Sequence, residues 1–305
     1  MEFTDLSQPF TDEQKVQSFL YLQNYILDKN KKKEPFFIGR LSGNEPNLCG
    51  KVLTKTNIDN RLLHEMLTTA GIQMKSNDDI KQYVKLYNTS CKNNDILSVW
   101  SGGMYSQAKP YYDFLDKMYP TQKRICASSL EPFYFVDHPE YKFNKIFKNK
   151  KVLIITSHKE TTKLQLKHHT TFFNKAIFHE TTEFHIYKPV QQNGGNHDSN
   201  SWTFHFDKMK NDLLELNKTF DFDIALVSCG GFGMILSDYI YSELKKGVMY
   251  VGGGLQLYFG IIGNRWKTHP IISKLFNDNW INVLDEDKPP TLSLNPRLCE
   301  NSCYW

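Results

Sequence analysis

Short apolar runs that alternate with helical stretches restrict this chain to few architectures. The runs are Phe36–Gly39, Ile96–Trp100, Arg124–Ala127, Lys151–Thr156, Asp223–Val227 and Val248–Val251. Helical periodicity fills residues 58–70, 78–88, 106–118, 163–173 and 205–217. Parallel strands need a crossover long enough to hold a helix, so this alternation predicts an α/β fold with a mostly parallel sheet flanked by helices. Upstream, Thr11-Asp12-Glu13-Gln14 reads as a capping box opening a helix whose apolar face includes Phe19, Leu22 and Ile26. Residues 1–34 are expected as an N-terminal helix and a basic linker containing Lys31, Lys32 and Lys33, and 35–305 as a single domain. No repeat or distinct linker splits the chain, and the one lobe boundary it offers lies near residue 150, at Phe147–Lys150.

Composition excludes several function classes. Thirty-seven Lys and Arg against thirty-three Asp and Glu give a net charge of +4, too weak to name nucleic acid as a partner. The six Cys form no CxxC pair, so neither a zinc module nor a disulfide scaffold is indicated, and a reducing compartment is the simplest reading. Met1–Asp5 shows no basic start to an apolar leader. The uncharged run Gly247–Asn264 holds six glycines and is shorter than the ~20 apolar residues of a spanning helix. The expectation is a cytoplasmic protein with no transmembrane segment.

Chemistry-bearing residues gather where strands end. Arg40, Gly43 and Glu45 lie in the turn after Phe36–Gly39, and His158 and Glu160 follow Lys151–Thr156. Gly230, Gly231 and Gly233 form a strand-turn-helix junction, which turns backbone N–H groups toward a ligand such as phosphate; tight helix packing is the competing reason for such glycines. Gly252, Gly253 and Gly254 end the next strand, and two neighbouring strands ending in glycines make a crevice. Leu236 stands where a dinucleotide site prefers a third Gly, and no Walker lysine follows either cluster. Gln256, Arg265 and Trp266 come next: Arg265 is a planar fork for a diphosphate, and Trp266 a stacking face for a base or sugar. Glu45, Glu160 and His158 are the candidate acids or bases.

In chain order, Phe37 to Glu45, Lys150 to His158, Gly230 to Leu236, Val251 to Ile261, Arg265-Trp266 and Cys303-Tyr304-Trp305 resemble glycosyltransferase-like proteins related to the GT-D type. The resemblance runs from about Phe36 to Trp305, and its most specific part is the block from 251 to 266. It implies a Rossmann-like fold and a catalytic domain that moves a sugar from a nucleotide diphosphate donor, usually a UDP-sugar, to an acceptor hydroxyl. It also implies an Asp-x-Glu pair serving the donor and a divalent cation. Here Gly43 replaces the Asp while Glu45 keeps the Glu, and one carboxylate is a poor anchor for Mg²⁺ or Mn²⁺ unless the donor's phosphates supply most ligands. Glu45 is thus the one candidate metal ligand, and no metal site is assigned. Arg40, Gly43, Gly230, Gly231, Gly233, Gly252, Gly253, Gly254, Gln256, Arg265 and Trp266 are carried forward as donor-binding positions. Glu45, His158 and Glu160 are the catalytic candidates, Glu160 as the acceptor's base.

The expected function is therefore a nucleotide-sugar-dependent glycosyltransferase in glycan biosynthesis, with a glycan or glycoprotein acceptor and homo-oligomers allowed. A catalytically inactive binding or structural protein of the same fold is the alternative. A nucleotidyl- or phosphotransferase is a weaker third, disfavoured by the absent Walker lysine.

Overall fold

A computed structural model describes residues 5–293, Cys299 and 302–305. The start of the chain, Met1–Thr4, on which the reading of the N-terminus rests, lies outside these residues. Thr11 opens α1 (Asp12–Lys32) with the expected box: its hydroxyl accepts from the Gln14 N–H at 3.2 Å, and the Gln14 side chain accepts from the Thr11 N–H at 2.8 Å.

Seven strands form one sheet: β1 (Phe37–Arg40), β2 (Ile96–Val99), β3 (Lys123–Cys126), β4 (Lys151–Thr156), β5 (Glu183–Tyr187), β6 (Ile224–Ser228) and β7 (Gly247–Tyr250). Their order is β3-β2-β1-β7-β6-β4-β5 and every pairing is parallel. Alternate residues point to opposite faces, so Phe37, Leu97, Leu153 and Val227 enter one core while Ile38, Ile96, Ile154 and Leu226 enter another. Both sets are fully buried, which is why these strands read as continuous apolar runs rather than alternating ones.

Helices cover the sheet in chain order. After β1 come α2 (Asn44–Leu53), α3 (Asn60–Thr68) and α4 (Asn77–Asn93), and α5 (Gly103–Met118) follows β2. Next, α6 (Lys159–Gln165) follows β4, while α7 (Trp202–Phe220) and α8 (Gly233–Ser242) flank β6. All of these except α6 contribute to the first core. The second core is closed by Phe19, Leu22 and Ile26 of α1 and by aromatic irregular segments carrying Phe133, Phe143, Phe172, Phe178 and Tyr258. Beyond β7, a 3₁₀ stretch over Gly252–Phe259 leads to β8 (Ile261–Ile262), α9 (Asn264–Lys267) and β9 (Ile281–Asn282), the last pairing with β8.

Four elements depart from the sequence reading, the first being α1, which runs to Lys32 and so takes Lys31 and Lys32, expected in a basic linker, into its last turn. α2 starts at Asn44, so the expected turn after β1 is three residues long. β5 went unseen because it pairs only with β4 at the sheet edge and has no fully buried side chain, hence no apolar run. The helix expected over 163–173 instead spans α6 and one 3₁₀ turn, Leu166–His168. His169 ends it by directing both its N–H and its Nδ1 to the Leu166 carbonyl.

The chain leaves β4 toward β5 but leaves β6 toward β7 on the other side, so the loops beyond these two neighbours diverge. Such a switch point opens a crevice at the carboxyl ends of the strands.

α6 has His158 at its N-cap and no side-chain cap there. The fully buried Asp287 supplies the missing acceptor, taking the N–H groups of Glu160 at 3.2 Å and Thr161 at 2.7 Å and the Thr161 hydroxyl at 2.8 Å. Asp287→Ala strands these buried donors and is expected to lower unfolding free energy by about 3 kcal/mol in urea titrations. A change within about 0.5 kcal/mol, the range of ordinary surface substitutions, contradicts this role.

Candidate functional site

A cleft of about 490 Å³ opens at the carboxyl ends of the strands. Arg40 at the end of β1 and Ser42 to Glu45 beyond it, Trp100 beyond β2, Ser157 and His158 beyond β4, Cys229 and Gly230 beyond β6, and Gly252 to Gly254 beyond β7 all contribute to its wall. The loops at 69–71 and 189–193 close one side, and Arg265, Trp266, Tyr304 and Trp305 the other.

Arg40 organises the floor. Its Nη1 donates to the Val251 carbonyl, its Nη2 lies 3.9 Å from Glu131 Oε1, and its guanidinium sits 4.9 Å from the Trp100 ring centroid. The second guanidinium, Arg265, lies 4.6 Å from the Tyr304 ring and 5.6 Å from Trp266, and its Nη2 donates to Cys303 Sγ at 2.7 Å. The stacking expected of Trp266 is therefore already used in part by Arg265.

Two buried carboxylates share the cleft. Glu45, in the first turn of α2, accepts from the Ser42 hydroxyl. Burial pushes its carboxyl above the usual range, opposed by Ser42, by its own N–H and by Arg40. Glu131 is likewise pushed up by burial and held back by Arg40 and Arg265. Opposite them, burial drives the His158 imidazole down to about 4, so it is neutral near pH 7. Its Nε2 has no hydrogen-bond partner, and its ring stands edge-on to Trp305 with centroids 6.3 Å apart. Cys229 is no nucleophile, because burial pushes its thiol up and keeps it protonated.

The triple glycine block is a shelf for side chains. A Cβ at Gly252 would meet Arg40 Nη1 at 2.6 Å, one at Gly253 the Tyr304 ring at 2.3 Å, and one at Gly254 the Glu131 carboxylate at 3.1 Å. Gly252 also has φ of +70°, which favours glycine. The earlier block behaves differently. Gly230 reaches the cleft, but Gly231 and Gly233 do not. Gly231 donates its N–H to the Ala70 carbonyl at 2.8 Å, and a Cβ at Gly233 would lie 2.0 Å from the Tyr250 ring. Close packing accounts for these two glycines.

Arg40, Gly43, Glu45, His158, Gln256, Arg265 and Trp266 thus meet at one cleft, as the sequence suggested. Glu160 does not join them: its N–H is bound to Asp287, and it lies outside the cleft wall. Glu131, Trp100, Tyr304 and Trp305 were not read as site residues. Glu131 sits in an irregular segment with no strand-end or glycine signal, and only the fold brings it beside Arg40.

Among the described residues no three His, Cys, Asp or Glu groups converge as metal ligands. Of the two cleft carboxylates, one is engaged by Ser42 and the other faces two guanidiniums. The residues of the cleft wall also carry buried polar atoms short of partners. Six buried polar atoms without a hydrogen bond belong to its residues: His158 Nε2, Gln191 Nε2, Gln192 Oε1, Gln256 Oε1, Trp266 Nε1 and Trp305 Nε1. Such groups are costly unless a ligand or ordered water satisfies them.

No helix among the described residues is long and apolar enough to cross a membrane. Comparison with protein-family models, curated proteins and solved structures gave no match.

The depressed His158 gives a pH signature. With a lower pKa in the folded than in the unfolded state, the unfolded chain binds more protons between pH 6.5 and 4, so this contribution to stability is lost as pH falls through that window. Relative to His158→Gln, the wild type is expected to lose about 2 kcal/mol of unfolding free energy from pH 7 to pH 5. Parallel pH dependences of the two proteins in urea denaturation contradict a neutral buried imidazole. The raised carboxyls of Glu45 and Glu131 act in the opposite direction and cancel in this comparison.

Proposed function

We propose that the cleft binds a nucleotide diphosphate sugar, UDP-linked in the first instance, and transfers its sugar to a hydroxyl of a glycan or glycoprotein acceptor. The observation that carries this reading is the pair of guanidiniums, Arg40 and Arg265, in the wall of a cleft beyond a parallel sheet's switch point. Its volume falls in the range of small-molecule sites.

In the transfer, the acceptor oxygen bonds to the anomeric carbon while the bond from that carbon to the diphosphate breaks, the diphosphate leaving with the electron pair. Arg40 and Arg265 are the groups proposed to take up that developing charge. The acceptor's proton needs a base. His158 is the candidate, being neutral and carrying an unpartnered Nε2. Glu45, fixed by Ser42, is placed in donor orientation.

One observation favours the second reading, a protein that binds without turnover: Gly43 stands where the resemblance expects a carboxylate, at the N-cap of α2.

A thermal-shift screen of UDP, GDP, CMP and their sugars, with and without Mn²⁺, separates these readings. Ligand at ~100 times its dissociation constant stabilises the native state by about 2.7 kcal/mol. A shift with UDP that does not require Mn²⁺ is expected, and no shift with any nucleotide at millimolar concentration removes the proposal. Where a nucleotide binds, Glu45→Gln is expected to cut transfer about a hundredfold or more while leaving the melting temperature within a few degrees. Wild-type turnover by this variant takes Glu45 out of the mechanism, and binding without turnover in the wild type selects the second reading.

A further inference from the structure

Glu131 has no part in the transfer outlined above, yet it occupies the position where a bound diphosphate would have to compete. It is 7 % exposed, 3.9 Å from Arg40 Nη2, and within the electrostatic reach of Arg265. The site is shaped to admit it: any side chain at Gly254 would start 3.1 Å from its Oε1. A carboxylate that merely fixed one arginine would need no second guanidinium nearby. Here one buried carboxylate lies beside Arg40 and also feels the charge of Arg265, and all three side chains belong to the cleft wall.

We propose that Glu131 is an internal counter-anion for Arg40 and Arg265, which a ligand's phosphate groups must outcompete, so that this residue sets the affinity for anionic ligands and speeds their release. The inference rests on the reading of the cleft as a phosphate-binding site. Its physical basis is repulsion between like charges in a partly desolvated site, where screening is weak. Binding of a diphosphate disfavours the ionised Glu131 and favours its protonated form, so a proton from solvent accompanies the ligand. Burial already raises this carboxyl, which brings the uptake closer to neutral pH.

Among the described residues, Arg40 and Arg265 are the charged groups whose fields Glu131 feels. The phenols of Tyr134 and Tyr258 and the thiol of Cys126, which also feel its charge, are all pushed up by burial and stay neutral. Tyr258 donates to the Leu130 carbonyl at 2.7 Å, so the backbone beside Glu131 is held independently of its charge.

The test measures dissociation constants of inorganic pyrophosphate and of UDP by calorimetry on the full chain, for wild type and Glu131→Gln, from pH 5.5 to 8. Gln keeps the shape and removes the charge. The expected result is that Glu131→Gln binds both probes about tenfold more tightly at pH 7.5 or above, with the gap between the two proteins closing as pH falls. Calorimetry in buffers of different ionisation enthalpy is expected to show proton uptake in the wild type that the variant lacks. Equal or weaker binding by the variant, with wild type binding normally, overturns the counter-anion role and leaves the phosphate site standing. Binding by the variant alone supports the role. Binding by neither protein removes both the role and the site. Should Glu131→Gln misfold, wild-type affinity for sulfate, which keeps both its charges from pH 5.5 to 8, that is no tighter at pH 5.5 than at pH 8 overturns the proposal by itself.

Discussion

The Arg40 guanidinium joins parts of the chain that no local rule brings together. It donates to the Val251 carbonyl just beyond β7, lies over the Trp100 ring just beyond β2 and faces Glu131 beyond β3. Three strand ends on both sides of β1 therefore meet at one side chain. That meeting requires β1 to lie between β2 and β7, which is the sheet order observed. It also requires backbone without side chains at Gly252 and Gly254, since a Cβ at either would crowd the arginine or its carboxylate. Strand order, glycine block and cleft floor are thus one arrangement.

Placing two guanidiniums and two carboxylates in a half-enclosed cleft carries a desolvation cost that pairing offsets only in part. The cleft meets that cost in different ways. Glu45 is tied to Ser42 and its own N–H, Glu131 to two arginines, and the arginines lie against aromatic faces that tolerate a weakly hydrated cation. His158 avoids the cost by staying neutral. The unpartnered polar atoms of the cleft's residues are the remainder, and burial makes each of them a cost.

Much of the wall comes from segments distant in sequence that are themselves pinned. Asp287 reaches back to cap α6 behind His158, and Gly194, in the loop whose residues 189–193 line the cleft, donates its N–H to the Thr68 carbonyl at 2.7 Å. On the far side the N–H groups of Asn264 and Arg265 donate to the carbonyls of Trp305 and Cys303. This holds Tyr304 and Trp305 against the glycine shelf. Shape in the cleft is consequently a tertiary property, though its glycines and arginines are visible as letters.

The sequence by itself determined the fold class. Both faces of β1, β2, β4, β6 and β7 are buried, so these strands announce themselves as apolar runs, and the helical spacing between them forces parallel pairing. Turn residues beyond those strands were legible for the same reason, since a buried run must end where polar groups reach solvent or a ligand. β5 and Glu131 were not legible, because a strand without a fully buried side chain shows no apolar run and an irregular segment carries no periodic signal. Whether a strand-end residue serves the cleft or the core was decided only by tertiary structure. Glu45 and Glu160 occupy similar turns, and Gly230 and Gly233 the same one, yet Glu45 and Gly230 face the cleft while Asp287 holds the Glu160 backbone outside it and Tyr250 fills the space at Gly233. Local chemistry fixes what a residue can do. Which neighbour reaches it depends on strand order and on contacts more than a hundred residues away in the chain, and a sequence does not encode those locally.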